Sequence, residues 1–316
     1  MPVIAVVIPA YKAAGHIESV LAGIPPLVRH VIVVDDASPD ETRRIVERST
    51  DLRVRLVVHE RNLGVGGAVL TGYDAAIAAG AEIIVKMDAD DQMDPAYLWP
   101  LVLPIVKGQA DYTKGNRFLH AQQLDSMPLR RRIGNAGLSF LTKAASGYWN
   151  VFDPTNGYTA IHASVVPLLD RERIDRRYFF ESSMFLELSL HRAVVWDVYI
   201  PARYGNETSS LSEWNALVSF PGRLLRGLGR RWLVQYFLRD FTAFSVFVLA
   251  GTVLTTFGAT WGAYYWFQSY LHGGLASTGT VMIAVLPIIV GLQLLLQSII
   301  LDIENVPTRP LSSGQL

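Results

Sequence analysis

VIAVVIPAYKAAGHIESVLAGIPPLVRHVIVVDD, residues 3–36, carries two periodicities within 34 positions. Two apolar, β-branched runs, VIAVVIP (3–9) and HVIVVDD (30–36), flank HIESVLAGI (16–24), whose apolar residues recur at helical spacing. Unbroken Val/Ile runs are characteristic of strands buried on both faces, and strand–helix–strand units with short links build a parallel sheet covered on both sides. The pattern continues with helical SPDETRRIVERS (38–49), strand-like RVRLVVHE (53–60), helical GAVLTGYDAAIAAG (67–80) and strand-like AEIIVKMD (81–88). The expected class is therefore α/β with a mostly parallel sheet. Ligands of such sheets bind beyond the carboxyl ends of the strands. Three of the four runs end in polar residues of interest: Pro9-Ala10-Tyr11, Asp35-Asp36 and Asp88-Ala89-Asp90. These ends are expected to converge on one crevice.

The last of them opens IIVKMDADDQMDP (83–95), with Asp88, Asp90, Asp91 and Asp94 inside seven positions. Like charges so crowded cost free energy unless a cation sits among them. Asp88, Asp90 and Gln92 project the same way if the strand's extended geometry persists past its end. Hard oxygen ligands suit Mg²⁺ or Mn²⁺, and one or two protein carboxylates leave the remaining positions to water and substrate phosphates. An EF-hand does not fit, because its sixth position would be Met93 and its twelfth Trp99. The plain alternative is a solvated acidic loop. Asp91 is expected to face away, and Asp94 to start a helix at Pro95.

Upstream, Asp36 is placed to accept hydrogen bonds from a base or ribose. Equally, Asp35, Asp36 and Ser38 read as helix caps, with Ser38 and Glu41 at capping-box spacing around Pro39. HERNLGVGGA (59–68) supplies Asn62 and glycines before a helix, which let backbone approach a ligand and leave N–H groups at a helix start. Close helix packing explains Gly66 and Gly67 as well. His59, at a strand end, reads as a structural polar residue.

Composition narrows the class. The 316 residues are half hydrophobic, and 28 basic residues balance 28 acidic ones. Zero net charge argues against a nucleic-acid binder, and the absence of cysteine excludes disulfides and thiolate metal sites. Asp240 and Asp302 bracket 61 residues without Lys, Arg, Asp or Glu. One crossing needs about 20 apolar residues, so the stretch fits two membrane helices, 241–267 and 280–301, better than a buried soluble hairpin. MPVIAVVIPAYK lacks the basic region of an export signal. Arg223, Arg226, Arg230, Arg231 and Arg239 precede the first span, whereas the loop at 268–279 has no Lys or Arg. The positive-inside rule then puts both termini in the cytoplasm.

PGRLLRGLGRRWLVQYFLR (221–239) places Leu224, Leu225, Leu228 and Trp232 on one helical face and most arginines on the other, as expected of an interfacial helix on anionic headgroups, or of an ordinary surface helix. The expected organisation is a catalytic domain over 1–220, a basic amphipathic helix over 221–240, two spans within 241–303 and a flexible tail over 304–316.

VVIPAYK, VVDDASPDET, RNLGVGGA, MDADDQMDP, KGNRF, DPTNGY and PARYGNETSSL, in this order, resemble the family 2 glycosyltransferases, most closely the polyprenyl-phosphate branch that includes dolichol-phosphate mannosyltransferase. The likeness covers about residues 1–215; two C-terminal membrane helices occur in part of that branch. It implies a GT-A fold, Rossmann-like and mostly parallel, and inverting transfer from a UDP- or GDP-sugar to polyprenyl phosphate. By the same resemblance Pro9, Ala10, Tyr11, Val34, Asp36, Asn62, Asp88 and Ala89 would hold the nucleotide. Asp88, Asp90 and Gln92 would hold Mg²⁺ or Mn²⁺, and Arg117 and Arg203 would bind phosphates near the reaction centre. Asp153, Glu181, Arg131 and Ser209 would lie around the acceptor or sugar, though Asp153 could equally fix a turn, and Arg130–Arg132 a solvated helix face. The pattern departs at Ala13, where mannosyltransferases often carry Glu, and at Ser209, where they often carry Lys; both count against GDP-mannose as donor.

The chemistry is consistent with these residues. Breaking a sugar–diphosphate bond builds oxocarbenium character on the sugar and negative charge on the leaving group, which a divalent ion and arginines stabilise. A phosphomonoester with a second pKa near ~6 is mostly dianionic at neutral pH and attacks without a dedicated base. Such an enzyme would sit in the cell membrane as a multi-pass protein serving envelope glycan assembly, and two thin helices per protomer would pack more readily in a dimer or tetramer. Three other readings remain: a tethered transferase for another acceptor, a processive synthase, of whose Gln-x-x-Arg-Trp signature only Arg231-Trp232 is present, and a non-catalytic nucleotide-sugar-binding scaffold.

Overall fold

The structure, a computed structural model, describes residues 1–116, 129–152, 156–201 and 213–314. The chain divides into two compact units, one of residues 1–228 with 307–316 and one of 229–306.

The first unit is built on a seven-stranded sheet of order β3-β2-β1-β4-β6-β5-β7. Its strands are β1 (Ile4–Ala10), β2 (His30–Asp35), β3 (Val54–Val58), β4 (Ile83–Lys86), β5 (Tyr112–Asn116), β6 (Thr159–His162) and β7 (Val195–Tyr199). β1 pairs in parallel with both β2 and β4, β2 with β3, and β5 with β7, while β6 runs antiparallel between β4 and β5. The helices are α1 (Ile17–Gly23), α2 (Thr42–Glu47), α3 (Val65–Ala78), α4 (Leu98–Val106), α5 (Leu129–Ser146), α6 (Phe180–Leu190) and α7 (Glu213–Trp232).

Alternation along β1 explains its continuous apolar run. Ile4, Val6 and Ile8 join one core with Ile17, Leu98 and Leu101, and Ala5 and Val7 join another with Val69, Tyr73 and Ile84. Both faces are dry, so every position is apolar. β3 is different: it is the sheet's edge, and Arg55 and Val58 face water.

Two local expectations are corrected. α2 starts at Thr42 and not at Pro39. Asp40 organises its entry, accepting from the Ala14 and Thr42 backbone N–H and, at 2.6 Å, from the Thr42 hydroxyl, while Ser38 Oγ accepts from Lys12 N. The tail is not free either. Leu311 N and Ser312 N each donate to the Asp111 carboxylate at 2.9 Å, joined by Val194 N at 2.8 Å. Asp111 and Ser312 are fully buried. A buried carboxylate needs several donors, and backbone N–H groups supply them whatever the side-chain composition, which is why a Pro/Ser-rich segment gave no sign of it.

The second unit contains a π-helical turn (Leu233–Arg239) and two long helices, α8 (Ala243–His272) and α9 (Thr278–Glu304). A Cβ at Gly251 would lie 2.9 Å from the Gly291 carbonyl oxygen, and one at Gly258 2.5 Å from that of Ala284. Small residues thus set the backbone contact between antiparallel neighbours, as in membrane helix pairs. Both helices are long and apolar enough to cross a bilayer, and only 22% and 11% of their most apolar windows are buried. A soluble core hairpin would hide most of that surface.

Candidate active site

The order of the parallel strands reverses between β1 and β4, and the crevice opens there, where α/β sheets bind ligands. It has a volume of about 730 Å³. Pro9, Ala10 and Tyr11 line it at the end of β1, Asp36 just after β2, Asn62 in the turn before α3, and Asp88, Ala89 and Asp90 just after β4; Arg177, Tyr178 and Glu181, around the start of α6, line it as well. Three non-glycine residues beside or within this lining, Lys12, Ala37 and Asp91, adopt left-handed backbone with φ of 57°, 57° and 60°. Such strain costs about 1–3 kcal/mol each and clusters at functional sites.

Asp36 organises the β2 side of the crevice. Its carboxylate accepts from His59 Nδ1 at 2.7 Å and from Leu63 N and Gly64 N at 2.8 Å, and its carbonyl accepts from Asn62 Nδ2. His59 Nε2 meets Thr71 Oγ1, so His59 has the structural role its position suggested. Gly66 N donates to the Arg176 carbonyl. Three N–H groups at the start of α3 are therefore already engaged, contrary to a free helix terminus waiting for phosphate. The glycines serve packing: a Cβ at Gly64 or Gly66 would fall 2.2 Å from the carbonyl oxygen of Arg176 or Asp175.

On the β4 side the structure brings forward a residue that the motif reading passed over. Lys86 is fully buried, with Nζ 2.7 Å from Asp88 Oδ1 and 3.3 Å from Glu181 Oε1. Burial works against its charge, but Asp88 and Glu181 outweigh burial and push its pKa up, so it is an ammonium. Gly157, from the DPTNGY segment, makes room: a Cβ there would lie 2.5 Å from Nζ and 2.7 Å from Asp88 Oδ2. The signal available in the sequence was a lysine closing an otherwise apolar buried run.

The other expected residues divide three ways. Pro9, Ala10, Tyr11, Asp36, Asn62, Asp88, Ala89, Asp90 and Glu181 line the crevice together. Val34 does not: it is fully buried against α3, one strand repeat beneath Asp36 on the same face. Gln92 is exposed, and only its backbone N–H donates back to Asp90 Oδ1, because left-handed Asp91 breaks the extended register. Asp91 accepts from Ser19 Oγ outside the lining, and Asp94 caps the turn at Pro95, both as expected. Arg117, Asp153, Arg203 and Ser209 lie outside the described residues, and Arg131 lies in α5, where only the backbone is described. Arg177 and Tyr178, from the loop packed on Gly64, were not anticipated.

On α7, Leu224 is buried and Leu225 is 55% exposed, so the expected apolar face packs on the protein at one position and faces outward at the next. Arg223 is turned onto the catalytic unit, pairing with Asp175 at 2.6 Å over the Phe179 ring.

Among the described residues no cluster of three or more His, Asp or Glu could hold a metal. Asp88 and Asp90 are the carboxylates available at the β4 end, which fits a hard divalent ion that takes the rest of its coordination from water and phosphate.

The profile of glycosyl transferase family 2 matches residues 5–167. The chain is 30% identical over 229 residues to the UDP-N-acetylglucosamine--dolichyl-phosphate N-acetylglucosaminyltransferase of Methanococcus voltae, spanning 68% of this chain and 90% of that one. It is 29% identical over 189 residues to the polyprenol monophosphomannose synthase of Mycolicibacterium smegmatis, spanning 56% and 68%. Glucosyl-3-phosphoglycerate synthase from Mycobacterium tuberculosis, solved with Mn²⁺, UDP and glucosyl-3-phosphoglycerate, superposes with a TM-score of 0.53 at 20% identity, covering 73% of this chain and 80% of that chain. Mannosyl-3-phosphoglycerate synthase from Rubrobacter xylanophilus gives 0.55 at 15%, covering 76% and 77%. The structural likeness establishes the GT-A fold, and the sequence matches establish the family. With a mostly parallel sheet, a crevice at its switch point and two long apolar helices after it, the chain belongs to glycosyl transferase family 2.

Proposed function

We propose that the protein transfers a sugar, with inversion, from a nucleotide-diphosphate sugar to a polyprenyl phosphate. Asp88 and Asp90, side by side in the crevice wall at the end of β4, carry this reading. They would hold Mg²⁺ or Mn²⁺, which when bound draws charge from the departing diphosphate. Asp36, Tyr11 and Asn62 would seat the nucleoside. Arg177, lining the same crevice, would face phosphate, as would Arg117 and Arg203. Glu181 would meet the sugar or acceptor, and the lipid phosphate, mostly dianionic, would attack without a general base. A UDP-sugar is the favoured donor: Ala13 is buried and lines the crevice where mannosyltransferases often carry Glu, and the Methanococcus voltae relative is named for UDP-N-acetylglucosamine.

The acceptor reading is supported by the names of the relatives and by α8 and α9. About 45 and 40 Å long at 1.5 Å per residue, these helices exceed the ~30 Å hydrocarbon core. They would anchor the protein as a two-span cell-membrane enzyme with its catalytic unit and termini cytoplasmic. The processive alternative loses support, since Arg231 of its half-signature is sequestered by Asp302.

The test is direct. Protein purified in detergent with Mn²⁺, offered labelled UDP-, GDP- and dTDP-sugars in turn, should transfer label into organic-extractable polyprenyl phosphate with at least one donor. If no donor labels the lipid, the reading fails.

A further inference from the structure

We propose that Lys86 makes the crevice select a divalent ion together with a nucleoside diphosphate over the ion alone; the assignment rests on the nucleotide-sugar reading above. The geometry is that of a resident cation. Nζ sits 2.7 Å from Asp88 Oδ1 and 3.3 Å from Glu181 Oε1, inside a slot that Gly157 leaves open. The carboxylate best placed for a divalent ion is thus already bonded to an ammonium. An ion on Asp88 Oδ2 would stand one carboxylate's width from Nζ, which is itself almost wholly buried, so little water lies between the two like charges to screen their repulsion.

Two effects of Lys86 on the ion oppose each other. It holds the Asp88 rotamer, which helps binding, and it repels the ion, which hinders it. Fixing one short side chain is worth less than repulsion between a single and a double charge at this separation. The net effect in the empty crevice is to weaken the ion. A diphosphate reverses the sign, because its negative charge is attracted by both cations and screens one from the other. Lys86 therefore lowers affinity for the ion alone and raises affinity for the diphosphate, so that the two ligands load as a pair. By linkage the coupling is reciprocal. Glu181, in the first turn of α6, pairs with the ammonium as well and helps to hold it in place.

The experiment follows Mn²⁺ uptake by the full chain in detergent, from the loss of the free-ion paramagnetic resonance signal, with and without UDP. Unmodified protein should bind Mn²⁺ weakly alone and more tightly with UDP. Lys86→Met should bind Mn²⁺ alone about tenfold more tightly, within the usual range of site–site couplings, and the enhancement by UDP should shrink. A purely structural lysine would give the opposite, since its loss would weaken Mn²⁺ binding in both conditions. Lys86→Gln keeps a donor without the charge and is read the same way should the Met variant not fold. Equal or weaker binding of Mn²⁺ alone by the neutral variants overturns the assignment. If unmodified protein takes up Mn²⁺ in neither condition, the nucleotide-sugar reading itself fails, and the role of Lys86 with it.

Discussion

Asp302 takes both terminal nitrogens of Arg231, at 2.8 Å on each side, with neither side chain more than 3% exposed. Tyr236 OH donates to the same carboxylate at 2.6 Å, and Asn305 Nδ2 donates to the Tyr236 oxygen. The network ties the start of the second unit to the end of α9. Breaking one side of such a pair strands a buried charge and costs about 3–5 kcal/mol, whereas replacing both partners by apolar residues is often neutral. Asp302→Ala should therefore lower the unfolding temperature in detergent sharply, and Arg231→Met with Asp302→Leu should recover most of the loss. If the double variant is as unstable as the single one, the pair is not what holds this junction.

Asp90→Asn tests the acidic wall without removing volume. If Asp88 and Asp90 hold the ion, losing one charged ligand should reduce lipid labelling by about 10²–10³-fold, the usual scale for removing a group that stabilises developing charge. Chelation should abolish labelling by unmodified protein, and added Mn²⁺ should restore it. Near-normal labelling by Asp90→Asn at saturating Mn²⁺ would exclude the residue from the metal site.

Beside the nucleoside contact proposed for it, Asp36 has a structural role. Its carboxylate serves His59 and two backbone N–H groups ahead of α3. Asp36→Ala leaves those donors unsatisfied, at about 1–3 kcal/mol for each that stays buried. The variant should lose both nucleotide affinity, measured by UDP titration, and thermal stability without ligand. Asp36→Asn should fall between. Weakened UDP binding at unchanged stability would separate the two roles and remove the structural one.

Much of the fold and part of the site could be read directly. β1, β2 and β4 are buried on both faces, so their residues are nearly all apolar, and polar residues gather where they end: Tyr11, Asp35-Asp36, and Lys86 followed by Asp88. β5 was hidden because YTKGN buries Lys114 and Asn116 through long-range partners, and β6 because its four residues, TAIH, are too few to show a period. Within the site, Asp88 and Asp90 stood out as a cluster. Val34 does not reach the crevice because sharing a face with Asp36 does not mean sharing its depth, and Gln92 leaves the lining because one left-handed residue, Asp91, ends the alternation. Lys86 and Gly157 become meaningful only together, 71 positions apart, and no local pattern announces such a contact.

Glu187, on α6, provides a pH test away from the crevice. Its side chain is buried, and burial, with the nearby Asp170 carboxylate, pushes its pKa up from 4.5 to about 6 against the opposing pull of Arg173. An acid whose folded pKa exceeds its unfolded one binds its proton more tightly in the native state. Stability should therefore fall as pH rises from about 4.5 to 6 and then level off, the shift being worth about 2 kcal/mol at neutral pH. Other carboxylates titrate in that window, so the informative quantity is the difference between unmodified protein and Glu187→Gln. The two should have similar urea midpoints at pH ~3, below both pKa values, where Glu187 is protonated in both states, and the Gln variant should be the more stable at pH ~7.5. A difference that does not change between these pH values would show that Glu187 ionises in the fold as freely as in the unfolded chain.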